Sequence, residues 1–149
     1  MLPMWGKPVK IFIPGEFVTL NKYIAANNNS RYEANEIKQV ETERARLAGL
    51  NWLADPKNKP IDVYPVQVEF FWSRLDEKTD PDNIAFGAKY ILDGLVLARV
   101  LAGDRWKHIQ SISHEFKIDH IIQGVEIWVE TVPRKLRMMN NNSGSRSAL

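Results

Sequence analysis

The chain has 149 residues, 44% of them hydrophobic and 26% charged, which fits one domain with a sizeable core and argues against a wholly disordered chain. Twenty basic against eighteen acidic side chains leave a net charge of +2, too weak to identify a nucleic-acid binder from charge alone. The absence of cysteine removes disulfides, thiolate metal sites and cysteine nucleophiles together.

Met1–Lys10 carries no apolar run of the signal-peptide kind, and no stretch of about 18 apolar residues occurs. The expectation is a cytoplasmic protein without a membrane span. The first residues, with two prolines and Gly6, read as a loose start. Val9–Ile13 is β-rich and closes at Pro14-Gly15, so a first strand is predicted there. Thr19–Ser30, with Asn27-Asn28-Asn29, reads as a loop. Its Asn21, Lys22 and Tyr23 are candidates for contact with phosphate or base.

Glu33–Leu53 is rich in helix formers and lacks proline. Ile37, Val40, Leu47, Leu50 and Leu53 give it an imperfect apolar stripe. Glu41, Glu43, Arg44 and Arg46 read as a solvated charged face. Val63–Ser73 is the strongest strand, with Val66, Val68, Phe70 and Trp72 alternating with Gln67, Glu69 and Phe71. Phe71 on the polar face predicts cover by a helix or a subunit interface.

A second helix is predicted over Asn83–Leu101, with Ile84, Ala88, Ile91, Leu92, Leu95 and Val96 inward. His108–Ile118 and the run from Val125 to Thr131 read as two further strands about a Gln123-Gly124 turn. The order β-α-β-α-β-β predicts an α+β domain over residues 1–133: a small mixed sheet with two helices on one face and an edge able to pair with a second subunit. Residues 134–149 are low in pattern and read as a disordered tail, whose Arg134, Lys135 and Arg137 are candidates for contact with DNA.

The chemistry concentrates in Thr79–Asp104. Asp80 precedes Pro81 and is biased towards extended backbone, while Asp82 suits an N-cap. Two carboxylates this close repel unless a proton or cation lies between them, and hard oxygen ligands suit Mg²⁺ or Mn²⁺. The following helix N-terminus favours phosphate oxygens. Lys89, seven residues after Asp82, falls on the same helical face about 10 Å along the axis. It also stands four residues before Asp93, where an ordinary ion pair is available. Asp104 can return to the pair through a turn. The same residues also make a plain turn and cap. His108, His114 and His120 lack a zinc-ligand spacing and read as structural or surface.

The run D-P-D-N, then K-x-x-x-D-G-L, then a loop aspartate and a β-rich tail resembles the RusA-like Holliday junction resolvases common in phages and prophages. Ile13-Pro14-Gly15 and Leu20-Asn21-Lys22-Tyr23 resemble the family's opening, so the likeness spans roughly residues 9–131. The spacing of Lys89 from Asp82 is longer than in the best-known member, and Asp104 stands between Gly103 and Arg105 where an adjacent acidic pair is common. The resemblance implies a homodimeric, Mg²⁺-dependent endonuclease that cuts branched DNA in recombination and repair within a bacterial host. It implies metal ligands at Asp80, Asp82 and Asp104 and an assisting Lys89. Lys22, Arg31, Arg74, Lys78, Arg105 and Lys107 would then contact backbone phosphates. Two other classes stay open: a non-catalytic dimeric DNA-binding or assembly module of a phage, and a different metal-dependent phosphotransfer enzyme.

Overall fold

A computed structural model describes residues 8–133. The proposed tail contacts at Arg134, Lys135 and Arg137 lie outside the described residues. The elements run β1 (Val9–Pro14), α1 (Leu20–Asn29), α2 (Arg31–Leu53), β2 (Val66–Arg74), α3 (Pro81–Ala85), α4 (Ala88–Leu97), β3 (Ile109–Ile118) and β4 (Gly124–Thr131). This is the α+β domain with a mixed sheet that the order of elements predicts; the first expected helix is present as α2, the second is divided into α3 and α4, and α1 is an additional helix.

The four strands lie in the order β1-β4-β2-β3. β4 is antiparallel to both β1 and β2, and β2 runs parallel to β3 across the α3–α4 crossover. Val66, Val68, Phe70 and Trp72 of β2 are buried with Val125, Ile127 and Val129 of β4 and Val9, Ile11 and Ile13 of β1. Alternation with period 2 puts all of them on the helix-covered face. β3 is the edge. Its Ile112, His114 and Phe116 register with Val68, Phe70 and Trp72 on that same face, yet Ile112 and Phe116 remain exposed. His114 is the better covered: its Nδ1 accepts from the Trp72 indole N–H at 2.9 Å, and burial lowers its pKa.

Several expectations need correction. Thr19–Ser30 is helical over α1. Thr19 is an extended N-cap whose hydroxyl accepts from the Lys22 N–H, and Ser30 caps α2 in the same way. The asparagines that suggested a loop fill an exposed helix with no buried residue. The second helix is divided: Gly87 N–H donates to the Ile84 carbonyl and Lys89 N–H to the Phe86 carbonyl, so the backbone tightens to i→i+3 bonding between α3 and α4. Among the described residues Phe71 is covered from the neighbouring strand β4 rather than by a helix. It packs against Trp128 at 5.4 Å, and the Lys10 ammonium sits 4.0 Å over the Trp128 ring.

α2 buries mainly small residues, and of the predicted stripe only Ile37 and Leu53 pack against the core. Ala34, Thr42, Ala45 and Gly49 face inward, whereas Val40, Leu47 and Leu50 are exposed. The reason is the close crossing with α4. A Cβ added at Gly94 would meet the Ala45 Cβ at 2.5 Å and the Thr42 carbonyl oxygen at 2.6 Å. Nor is Glu41 part of a solvated face. It is buried, accepts the Val18 N–H at 2.8 Å and pairs with Arg44 at 3.1 Å. Arg44 also donates to the Pro14 and Glu16 carbonyls and covers the Phe17 ring at 4.1 Å, tying α2 to the segment after β1.

Candidate functional site

The segment Asp80-Pro81-Asp82-Asn83 turns the chain from β2 into α3. Asp80 is the extended N-cap and Pro81 occupies the first turn, where a missing N–H costs nothing. The cap is therefore Asp80, not Asp82 as the sequence suggests, and Asp80 makes no side-chain capping bond. Asp82 lies one step into the helix and, among the described residues, accepts the N–H of its neighbour Asn83, at 2.9 Å. Both aspartates are exposed at this corner.

What stiffens the corner is Asn83. It is buried, and its Oδ1 accepts the Asn21 N–H of α1 at 2.9 Å. The first N–H groups of a helix lack intrahelical partners. In α1 the Thr19 hydroxyl serves Lys22, and the Asn83 amide serves Asn21 across the tertiary structure. Tyr23 then packs on Phe86 at 5.5 Å. The structure thus brings Asn21, Lys22 and Tyr23 beside the Asp80–Asp82 corner. Asn21 and Lys22 are exposed there.

Arg74 is not a free surface cation. It is buried, pairs with Glu16 at 3.2 Å and donates to the Thr79 hydroxyl at 3.2 Å. Its role is to hold the loop that delivers Asp80. Lys78 lies exposed in that loop, and Arg31 is exposed at the start of α2.

Among the described residues neither Lys89 nor Asp104 has a hydrogen bond or ion pair to Asp80 or Asp82. The geometry that put Lys89 on the face of Asp82 assumes 3.6 residues per turn throughout, and the i→i+3 turn at Phe86-Gly87 breaks that register. Lys89 is exposed and pairs with Asp93 at 3.1 Å, the ordinary i,i+4 contact. Asp104 follows the other end of the α3–α4 run. It is exposed, and it lines one hollow of about 650 Å³ with Asp93, Val96 and Leu97, and a second of about 340 Å³ with Arg105 and Trp106.

Among the described residues no three His, Cys, Asp or Glu side chains converge as a metal-ligand group. Asp80 and Asp82 suit a hard divalent cation as a two-carboxylate partial site. Asp104 does not complete it within one chain. His108 and His114 are engaged in the fold: His108 Nδ1 accepts the Arg105 N–H, and its ring meets Tyr64 edge-on at 5.3 Å.

Two participants escaped the sequence reading. Asn83 looked like the tail of a turn motif, and its side-chain bond spans 62 residues. Trp106 is 97% exposed between Arg105 and Lys107, and an aromatic between two cations was the available signal. Among the described residues no helix is long and apolar enough to cross a membrane. No protein-family model matches the chain, and a search of curated proteins finds no match.

Proposed function

We propose that the chain is a divalent-metal-dependent endonuclease of the RusA-like kind, cutting branched DNA such as Holliday junctions in phage or bacterial recombination and repair. The observation that carries the reading is the Asp80–Asn83 corner. Two solvent-facing carboxylates sit on a proline-stiffened turn, and the buried Asn83 ties that turn to a helix start bearing Asn21, Lys22 and Tyr23.

In this reading Asp80 and Asp82 would supply oxygen ligands for Mg²⁺ or Mn²⁺; Asp104, the third ligand that the resemblance implies, does not join them within one chain. Such an ion, when bound, acidifies a water and offsets charge on the scissile phosphate. The chain's own residues position the DNA. Asn21 and Lys22 hold backbone phosphate beside the carboxylates, and Lys78, Arg105 and Lys107 extend the contact. Lys89 neutralises charge at the phosphate once it leaves Asp93. That exposed pair is worth only about 0.3–0.5 kcal/mol and does not lock the ammonium in place. A homodimer with two such corners would match the paired strands of a four-way junction.

The test is cleavage of a labelled synthetic four-way junction and a matched duplex, in Mg²⁺ and in EDTA. Paired nicks in opposed junction strands, dependent on Mg²⁺ and absent from the duplex, are expected. A second reading, the non-catalytic dimeric DNA-binding module, is favoured by the failure of the three aspartates to gather in one chain. Junction binding with no cut in either Mg²⁺ or Mn²⁺ would establish it in place of the first.

A further inference from the structure

The turn from Asp104 to His108 displays a tryptophan to solvent. Trp106 is 97% exposed, the highest value among the large apolar side chains described. Its turn is fixed rather than loose. The Arg105 carbonyl accepts from both the His108 and Ile109 N–H groups, at 2.9 and 3.0 Å, and His108 Nδ1 accepts the Arg105 N–H at 3.3 Å. The His108 ring is held in turn against Tyr64, whose hydroxyl accepts the Ala102 N–H at 2.7 Å. Gly103 makes room for that ring, because a Cβ there would lie 2.4 Å from it. The indole therefore projects from a closed, hydrogen-bonded turn, and presenting it to a ligand requires no ordering of the backbone.

The surroundings select the ligand. Arg105 and Lys107 flank the indole, both exposed and neither in an ion pair among the described residues. A protein partner's apolar pocket would have to desolvate both cations or supply acids for them. A nucleic-acid strand matches the whole group: a base stacks on the aromatic face and the adjacent phosphates meet the flanking cations. Asp104 borders the same hollow as the indole, so the surface adjoins one of the proposed site carboxylates.

We infer that Trp106 is a base-stacking residue. It takes the open face of an unpaired or branch-point base while Arg105 and Lys107 hold the neighbouring phosphates. A continuous duplex offers no such face, so this contact would favour branched over linear DNA. The inference rests on the branched-DNA reading above and goes beyond it by naming the nucleobase contact.

The experiment uses the full chain and a four-way junction in EDTA, so that binding is read without cutting. One junction carries a fluorescent end label for anisotropy. Another carries 2-aminopurine at the branch point, whose emission falls when an aromatic ring stacks on it. Wild type is expected to bind and to quench. Trp106→Phe should keep most of the quenching, and Trp106→Ala should lose it and bind roughly 5- to 100-fold more weakly. Because the position is exposed, both variants are expected to fold, and far-UV circular dichroism checks it. Equal binding and quenching by Trp106→Ala overturns the inference and leaves the branched-DNA reading standing. So does wild-type binding with no change in emission. Absence of junction binding by wild type removes both. A change of oligomeric state in Trp106→Ala, seen by sedimentation, would assign the indole to a protein interface and overturn the inference.

Discussion

Two acidic corners grip the segment between Pro14 and Tyr23, and they differ in character. At one, Glu41 is 5% exposed and fully committed, to the Val18 N–H and to Arg44. At the other, Asp80 and Asp82 face solvent, and the buried contact with the segment is made by their neighbour Asn83. The first corner is frame: its carboxylate is consumed by the fold. The second separates support from display, so that an amide holds the backbone and the carboxylates remain available to a ligand. Acidity alone does not distinguish a structural from a functional carboxylate; the destination of its lone pairs does.

The largest expected effect tests the display side. Asp82→Asn keeps an oxygen to accept the Asn83 N–H and removes the charge. Junction cleavage should fall roughly 10³-fold, with junction binding retained. Urea denaturation should move by less than about 0.5 kcal/mol, since the side chain is exposed. Retained cleavage by the purified variant would remove Asp82 from the site. The frame side should respond in the opposite sense. Glu41→Ala leaves the Val18 N–H and Arg44 without their carboxylate, and Arg44 is itself partly exposed. A loss of about 2–4 kcal/mol in urea denaturation is expected. A loss under about 0.5 kcal/mol would return Glu41 to the ordinary surface.

Asn83→Ala falls between the two and joins them. It removes the tertiary cap of α1, for which capping substitutions suggest about 1 kcal/mol. Because Asn21 and Lys22 would then lose their fixed place beside Asp82, junction binding should also weaken. Asn83→Ala with normal stability and normal binding would show that the corner needs no tether.

Much of this was legible in the chain. Period-2 alternation located the sheet core at Val66–Trp72 and in the last strand, since the inward residues there are apolar apart from Thr131. In α4 the apolar stripe located Ala88, Ile91, Leu92 and Leu95, but it left out the buried Tyr90 and Gly94 and included Val96, which is only half-buried. The α2 face was not legible, because its contact is made by Ala45 against Gly94, small residues that carry little weight in a hydrophobic pattern. α1 was hidden because its asparagines have weak helix propensity and it buries nothing, while its anchor lies in residue 83. The carboxylate pair was visible as D-P-D-N. The positions of Lys89 and Asp104 relative to it were not, since both depend on a local tightening at Gly87 and a turn after α4 that spacing cannot supply.

The smallest expected effect lies at the joint between the corners. The Tyr90 ring packs against Phe17, on the Glu41 side, at 6.3 Å and against Phe86, which carries Tyr23, at 5.5 Å. The side chain is 1% exposed, and its hydroxyl has no hydrogen-bond partner among the described residues. Burial, with the nearby Glu41 carboxylate adding to it, pushes the phenol well above its ordinary pKa, so it is neutral at every working pH. Tyr90→Phe keeps both ring contacts and removes a buried polar atom that lost its water on folding. The desolvation relieved outweighs the small void created, and a gain of roughly 0.5–1 kcal/mol in urea denaturation is expected, with junction binding unchanged. A loss of more than about 1 kcal/mol would mean that the hydroxyl is hydrogen-bonded in solution. The joint would then be polar, and the two corners would be coupled through it rather than merely packed on a common ring.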